Sequence, residues 1–453
     1  MRFRGVLVGL AVLTWAGTAA AQKFQTFFPY PLKVATLPNG LRVVRVPFES
    51  PGLVSYYTVV RVGSRNEVEA DHTGFAHYFE HVMFKGTKAW PEGTRDALLG
   101  RLGFSENAFT TDDVTVYFVN GPSTSLDKLV ELEADRFRNL EYSEATFQTE
   151  AKAVLGEYHK NAANPGLKME EELAATAFKV HPYRHTTLGF YDDIKKMPGY
   201  FEYSREFFRR WYTPDNTLVF VVGDFDDAKL MAWVEKGYGS WQGKAAKLVI
   251  PAEPAQKEAR QVHVDWATPT LPRHLHAWHT PSAGMSLTDG AVQSVLSAYL
   301  AGPTSPLYKQ LVLEQQLCES VSTGYGEHRD PSLFSLTATL KEERHRAAVQ
   351  AAFDAAVRDA VSGKLDAKRV QDIKDNLRYS LLMGLETADH VAMQLAYFGG
   401  VLGGPGSVDA LYQAIAQVKP AQVSAFAKRH LTDSNRTVLT LTPKPAAEKA
   451  GQP

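Results

Sequence analysis

An α+β fold built of two similar halves is what the sequence predicts, on three observations. Residues 41–46, 53–62, 115–119 and 218–222 are short runs rich in β-branched and aromatic side chains, the pattern of strands. Between them, residues 125–140 and 144–160 carry apolar side chains at helical spacing. At residues 243–260 the composition shifts to Ala, Lys, Glu and Pro with weak periodicity, after which the cycle of strands and helices restarts. Each half then reads as a sheet that buries one face against helices.

Taken in order, the elements begin with a leader. Met1-Arg2-Phe3-Arg4, an apolar run over residues 6–16 and Thr18-Ala19-Ala20-Ala21 before Gln22 have the layout of a secretory signal peptide cleaved after Ala21. A periplasmic or secreted protein is therefore expected. The alternative is a mitochondrial transit peptide, which the two arginines suit and the continuous apolar run does not. The run falls short of the ~20 apolar residues that span a bilayer, and no later stretch reaches that length, so no transmembrane anchor is expected. The N-terminal half covers 22–242, the linker 243–260 and the C-terminal half 261–442. In the latter, 262–266 and 274–279 read as strands, 289–300 and 304–316 as helices, 333–340 as a strand and 344–362 as a long helix. The tail, 443–453, is rich in Pro, Ala and Lys and is expected to be disordered.

At 453 residues, 44% hydrophobic and 22% charged, the chain is long enough for more than one core and ordinary for a globular protein. A net charge of −1 gives no electrostatic reason to expect nucleic acid as partner. Cys318 is the single cysteine, so no disulfide forms within the chain. With no evident base beside it, it reads as a small buried hydrophobe rather than a nucleophile.

The chemistry concentrates in Gly74-Phe75-Ala76-His77-Tyr78-Phe79-Glu80-His81. If residues 75–84 are helical, His77 and His81 lie within roughly 40° of each other, one turn apart, and both imidazoles can reach one metal ion. Glu80 falls about 60° to the other side of His77, a placing that suits a general base. Phe75, Phe79 and Val82 share the opposite, packing face. Two imidazoles and one carboxylate make a three-ligand zinc site that activates water, whose proton Glu80 would take. Read alone, the pattern is equally that of two surface histidines on an amphipathic helix. A candidate third ligand lies in the helical stretch 147–158, closed by Asn164-Pro165-Gly166, where Glu150 and Glu157 share a face seven residues apart. Two glutamates at that spacing are also common on a solvated face.

The order His-x-x-Glu-His is the inverted zinc-helix motif. With it, the chain resembles the pitrilysin and insulinase family of zinc peptidases, whose third ligand is a glutamate on a second helix. Glu157 stands 76 positions after His81. Similar stretches follow in family order: residues 74–87, Asn107-Ala108-Phe109-Thr110 with 113–117, His181-Pro182-Tyr183, Leu188-Gly189, and Tyr212-Thr213-Pro214-Asp215-Asn216 running into 219–223. The resemblance implies one Zn2+ per chain held by His77, His81 and Glu157, with Glu80 as catalytic base and Glu150 as a supporting carboxylate. It implies that Asn107 and Ala108 on an edge strand bind an extended peptide through its backbone. It also implies two homologous halves, each a mostly antiparallel sheet backed by helices, that form half of a clamshell-like chamber.

In one place the chain departs from the family. Residues 305–311 are similar to the segment before an arginine that, with a later tyrosine, helps to bind substrate, but those two positions read Val312 and Glu319. Tyr325 lies nearby and reads as a structural aromatic at the start of a strand. The resemblance therefore implies a zinc endopeptidase that needs a partner, a heterodimer with a homologous chain lacking the zinc motif, with a homodimer as the alternative. Two further functions stand beside it: a zinc hydrolase of non-peptide amides, and a non-catalytic assembly subunit that keeps the fold without the chemistry.

Overall fold

The computed structural model describes residues 27–444, so the leader 1–21 and tail residues 445–453 lie outside the described residues. Eleven strands form two sheets among the described residues. The first sheet holds β1 (Lys33–Thr36), β2 (Arg42–Pro47), β3 (Leu53–Val60), β4 (Ser105–Thr110), β5 (Thr115–Pro122) and β6 (Thr217–Gly223), in the order β1-β2-β6-β3-β5-β4. The second holds β7 (Arg260–Trp266), β8 (Arg273–Thr280), β9 (Cys318–Gly324), β10 (Ser332–Leu340) and β11 (Arg436–Pro443), in the order β7-β11-β8-β10-β9. Leaving β1 aside, the two orders superpose strand for strand. Each sheet has one parallel pair at the same place, β2 with β6 and β7 with β11, and is otherwise antiparallel. The chain is thus two homologous halves, each a mostly antiparallel sheet backed by helices.

Alternation along the central strands divides the first sheet between two cores. Val43, Tyr56, Val60, Tyr117, Val119, Val219 and Val221 face the motif helix side, while Val44, Val46, Tyr57, Val59, Val116, Phe220 and Val222 face a core shared with the second half. Helix Ala388–Leu402 of the second half covers that other face, packing on β3 and β6. Its Gly399 and Gly400 permit the approach: a Cβ there would lie 2.8 Å from Phe220 and 2.7 Å from Val59. In return helix Pro165–Ala177 of the first half lies on β7 and β11, with Met169 buried among Val264, Leu275, Leu439 and Leu441. Each half thus lends a helix to the other half's sheet.

A polar lock closes the same junction. Asp330 accepts from Arg65 Nε at 2.5 Å and lies 3.0 Å from His181 Nε2. Buried Asp113 accepts from the Tyr183 hydroxyl at 3.0 Å and lies 3.2 Å from His328 Nδ1. Burial opposes charge at both His328 and Asp330. The Asp113 contact and neighbouring carboxylates nevertheless hold the His328 pKa above its usual value. Hydrogen bonds from His181 and Arg65 hold the Asp330 carboxyl well below its usual range.

Several expectations are corrected. Residues 304–316 do not form one α-helix: a single turn, Pro306–Tyr308, runs into a π-helix, Lys309–Glu314, and Gln316 then takes a left-handed φ of 52°. Strand β9 follows at once, and Tyr325 comes after its end rather than at the start of a strand; its ring stacks 6.4 Å from Phe334. The tail's first residue, Pro443, is the last residue of β11. Residues 241–259 carry no helix or strand, yet they are not free: the Glu253 carboxylate accepts from the backbone of Lys179, Val180 and His181. Cys318 is buried, and burial pushes its thiol up to about 11. No described helix is long and apolar enough to cross a membrane.

Candidate metal centre

The motif helix, Phe75–Val82, starts at Gly74, which has a left-handed φ of 88°. A Cβ on Gly74 would stand 2.6 Å from the carbonyl oxygen of Leu188, and one on Gly189, also at φ 88°, would stand 2.6 Å from the nitrogen of Gly74. Only glycine fits at either position, which seats the helix start against the Leu188-Gly189 segment. The first amides of the helix are met from a distance. Gly74 N–H donates to Glu67 Oε2 at 2.8 Å and Ala76 N–H to Oε1 at 2.7 Å. Glu67 is buried, and burial pushes it up to about 8 against those two bonds.

Phe75, Phe79 and Val82 are buried as the packing face, with Phe79 stacked on Phe207 at 5.3 Å. Tyr78 meets Phe147 edge to face at 5.1 Å, which joins the motif helix to helix Glu144–Asn161. That second helix is capped by Ser143, whose side chain accepts from Thr146 N–H, and it buries Phe147, Ala151 and Val154. Beyond the motif helix Gly86, at φ 92°, allows a turn so tight that a Cβ would lie 2.4 Å from the Trp90 carbonyl oxygen.

These supports bring three predicted ligands together. His77 Nε2 and His81 Nε2 are 3.3 Å apart, and Glu157 Oε2 lies 3.3 Å from His81 Nε2 and 3.7 Å from His77 Nε2. Among the described residues this is the one His, Cys, Asp and Glu cluster with the spacing of a metal site. Tetrahedral zinc with bonds of about 2.0–2.1 Å sets its ligand atoms roughly 3.3 Å apart, so the donor set fits the ion. Burial, reinforced by His81, pushes the His77 imidazole down to about 4, which keeps it neutral.

Glu80 lines the same cleft as His77 and Glu157, with Phe109 and Thr110 of β4 as a wall. The Thr110 hydroxyl donates to Glu80 Oε2 at 2.7 Å. Burial raises the Glu80 carboxyl, and the Thr110 bond only partly offsets it. Glu150 is not in the cleft. It lies behind His81, with Oε2 3.9 Å from Nδ1 and Oε1 2.6 Å from Lys85 Nζ. Asn107 and Ala108 lie on β4, whose outer edge has no partner strand among the described residues. Ala108 N–H is bonded by the Asn107 side chain at 2.9 Å.

Three contributors escaped the sequence reading. Glu67 lies outside any local motif that would mark it, and Lys85, although inside the family-like stretch 74–87, carried no sign of its target. Thr110 stood in the edge-strand stretch, but its side chain had no visible target until β4 was placed against the motif helix.

Two family models match the chain. One described as insulinase (peptidase family M16) covers residues 52–189, which hold His77, His81 and Glu157, and one described as the peptidase M16 inactive domain covers residues 201–377. The chain is 28% identical to the zinc protease PqqE of Helicobacter pylori, over 96% of this chain and 98% of that one. A crystal structure of a protease from Helicobacter pylori superposes with a TM-score of 0.84 at 27% identity, covering 91% of this chain and all of the other. The periplasmic protease PqqL of Escherichia coli superposes with a TM-score of 0.75 at 18% identity, and there 91% of this chain matches only 47% of the other. With both family models in sequence order over more than half of its length, the chain belongs to the insulinase family of peptidases, family M16.

Proposed function

We propose that the chain is a zinc endopeptidase that cleaves peptides or unfolded segments held as an extended strand. The observation that carries this reading is the convergence of His77 Nε2, His81 Nε2 and Glu157 Oε2 beside Glu80, under the open edge of β4. Zinc held by these three residues would supply a Lewis acid that makes water more acidic and polarises a carbonyl. Glu80 acts as the base that takes the proton of the attacking water and returns it to the leaving amine; burial raises its pKa toward the working range. Thr110 holds the carboxylate in place, its hydroxyl donating to Oε2 and its backbone bonding the same group. The β4 edge presents Asn107 and Ala108 to the substrate backbone. Strand addition there requires the Asn107 side chain to release Ala108 N–H.

The functional unit is a pair. This chain matches about half of the PqqL chain, and it carries Val312 and Glu319 where the family has its assisting arginine and tyrosine. A homologous chain without the zinc motif would complete the chamber and supply those groups, in the periplasm or outside the cell. The same two substitutions favour a second reading, an assembly subunit without chemistry. Elemental analysis separates the two at their root. Wild type is expected to carry one zinc per chain and, with its homologous partner, to cleave peptides, and Glu157→Gln to lose most of the zinc. Wild type that takes up no zinc would sink the peptidase reading.

A further inference from the structure

We propose that Lys85 is a positioning residue of this centre: it pairs with Glu150, holds that carboxylate behind His81, and so leaves Glu157 as the carboxylate that faces the two histidine Nε2 atoms. The inference rests on the zinc reading above and addresses what that reading leaves open, namely why two glutamates on one face of one helix take different roles.

His81 stands between them. Its Nε2 is 3.3 Å from Glu157 Oε2, and its Nδ1 is 3.9 Å from Glu150 Oε2. That second distance is beyond hydrogen-bond reach but close enough for charge to orient the ring. Glu150 is buried to 9% exposure, where a carboxylate without a counter-charge is costly. Lys85 removes that cost. It stands just past the end of the motif helix, four residues after His81, with Nζ 2.6 Å from Glu150 Oε1 and 2.9 Å from Glu92 Oε1. Two carboxylates therefore fix the ammonium, and the ammonium fixes Glu150 with its other oxygen toward His81. Without it, Glu150 would be a buried anion next to a site that holds a cation, free to move toward the metal and compete with Glu157. No carboxylate plays the matching part for His77, whose buried Nδ1 has no hydrogen-bond partner among the described residues. Among the described residues the one carboxylate behind a ligand imidazole is thus Glu150, at His81, and through it the hold depends on Lys85.

The test is zinc affinity by competition with a chromogenic chelator, on wild type, Lys85→Met, Lys85→Arg, Glu150→Gln and the double variant Lys85→Met/Glu150→Gln. Lys85→Met and Glu150→Gln are each expected to weaken zinc binding roughly 10- to 100-fold, the usual effect of losing an outer partner of a ligand histidine. Lys85→Arg keeps the charge and should stay within about threefold of wild type. Because both residues act through one carboxylate, the double variant should bind within about twofold of Glu150→Gln. A Lys85→Met protein that binds zinc as tightly as wild type, or losses that multiply in the double variant, would overturn the role of Lys85 and leave the zinc centre standing. Wild type that binds no zinc overturns the centre itself.

Discussion

Thr110 is the residue through which the edge strand touches the chemistry, since its hydroxyl is bonded to the carboxylate of Glu80 at 2.7 Å. A hydrogen bond to a charged group is worth about 1.5–3 kcal/mol, so Thr110→Val, which keeps the shape and loses the hydroxyl, should lower kcat for peptide hydrolysis at least about tenfold. Zinc content and KM should change little. A fall of less than twofold would show that Glu80 is positioned by something else. At this scale the sequence carried the residues that share an element. His77, Glu80 and His81 are set by one helix turn, so their spacing alone predicts their geometry, whereas Glu157 was singled out only by the family resemblance, since two glutamates seven apart also fit a solvated helix face. Glu67, Lys85 and Thr110 were not legible, because each acts across a gap between elements that only the packed structure closes.

Strand β4 is anchored from behind by buried ions. Arg95 binds Glu106 of β4 at 2.6 Å and the fully buried Glu133 at 2.5 Å, and Arg136 binds the other oxygen of Glu133 at 2.6 Å. Arg136 also lies over the rings of Phe84, Tyr117 and Phe137. Burial opposes charge on Glu133, but the two guanidinium groups hold its carboxyl below the usual range. A depressed carboxyl contributes stability above its unfolded-state pKa of about 4.5 and loses it as pH falls through the lower folded value. Arg95→Met leaves Glu133 with Arg136 as its one remaining guanidinium partner and Glu106 with Arg136 only at 3.8 Å, and weakening a buried ion network in this way costs up to about 3–5 kcal/mol. Urea denaturation at pH 7 should show that loss, and the gap to wild type should narrow below about pH 4.5 as Glu133 takes up a proton. A loss under about 1 kcal/mol at pH 7 would contradict the anchor. The strand itself was legible only through the resemblance of residues 107–110 to the family's edge strand, whereas its anchor is spread over three elements and left no local trace. Residues 304–316 misled for a related reason: their helical spacing is real, but the chain winds as a π-helix before Gln316 turns it into β9.

At the scale of the molecule, the restart of strands and helices after residue 260 was visible because duplication repeats the pattern of elements. The exchange of helices was not. Residues 388–402 are apolar on nearly every side, and nothing local says that their sheet lies in the other half of the chain. That exchange, with the lock of Arg65, Asp113, His328 and Asp330, ties the two sheets together from both sides of the junction. The whole account meets in one comparison, peptide cleavage by wild type and Glu80→Gln at equal zinc content, each alone and with a copurified homologous chain. Wild type with its partner should cleave, and Glu80→Gln should hold the same zinc and cleave at least about 100-fold more slowly, the share expected of a general base. Equal cleavage by the two proteins, or none by zinc-loaded wild type even with its partner, would contradict it.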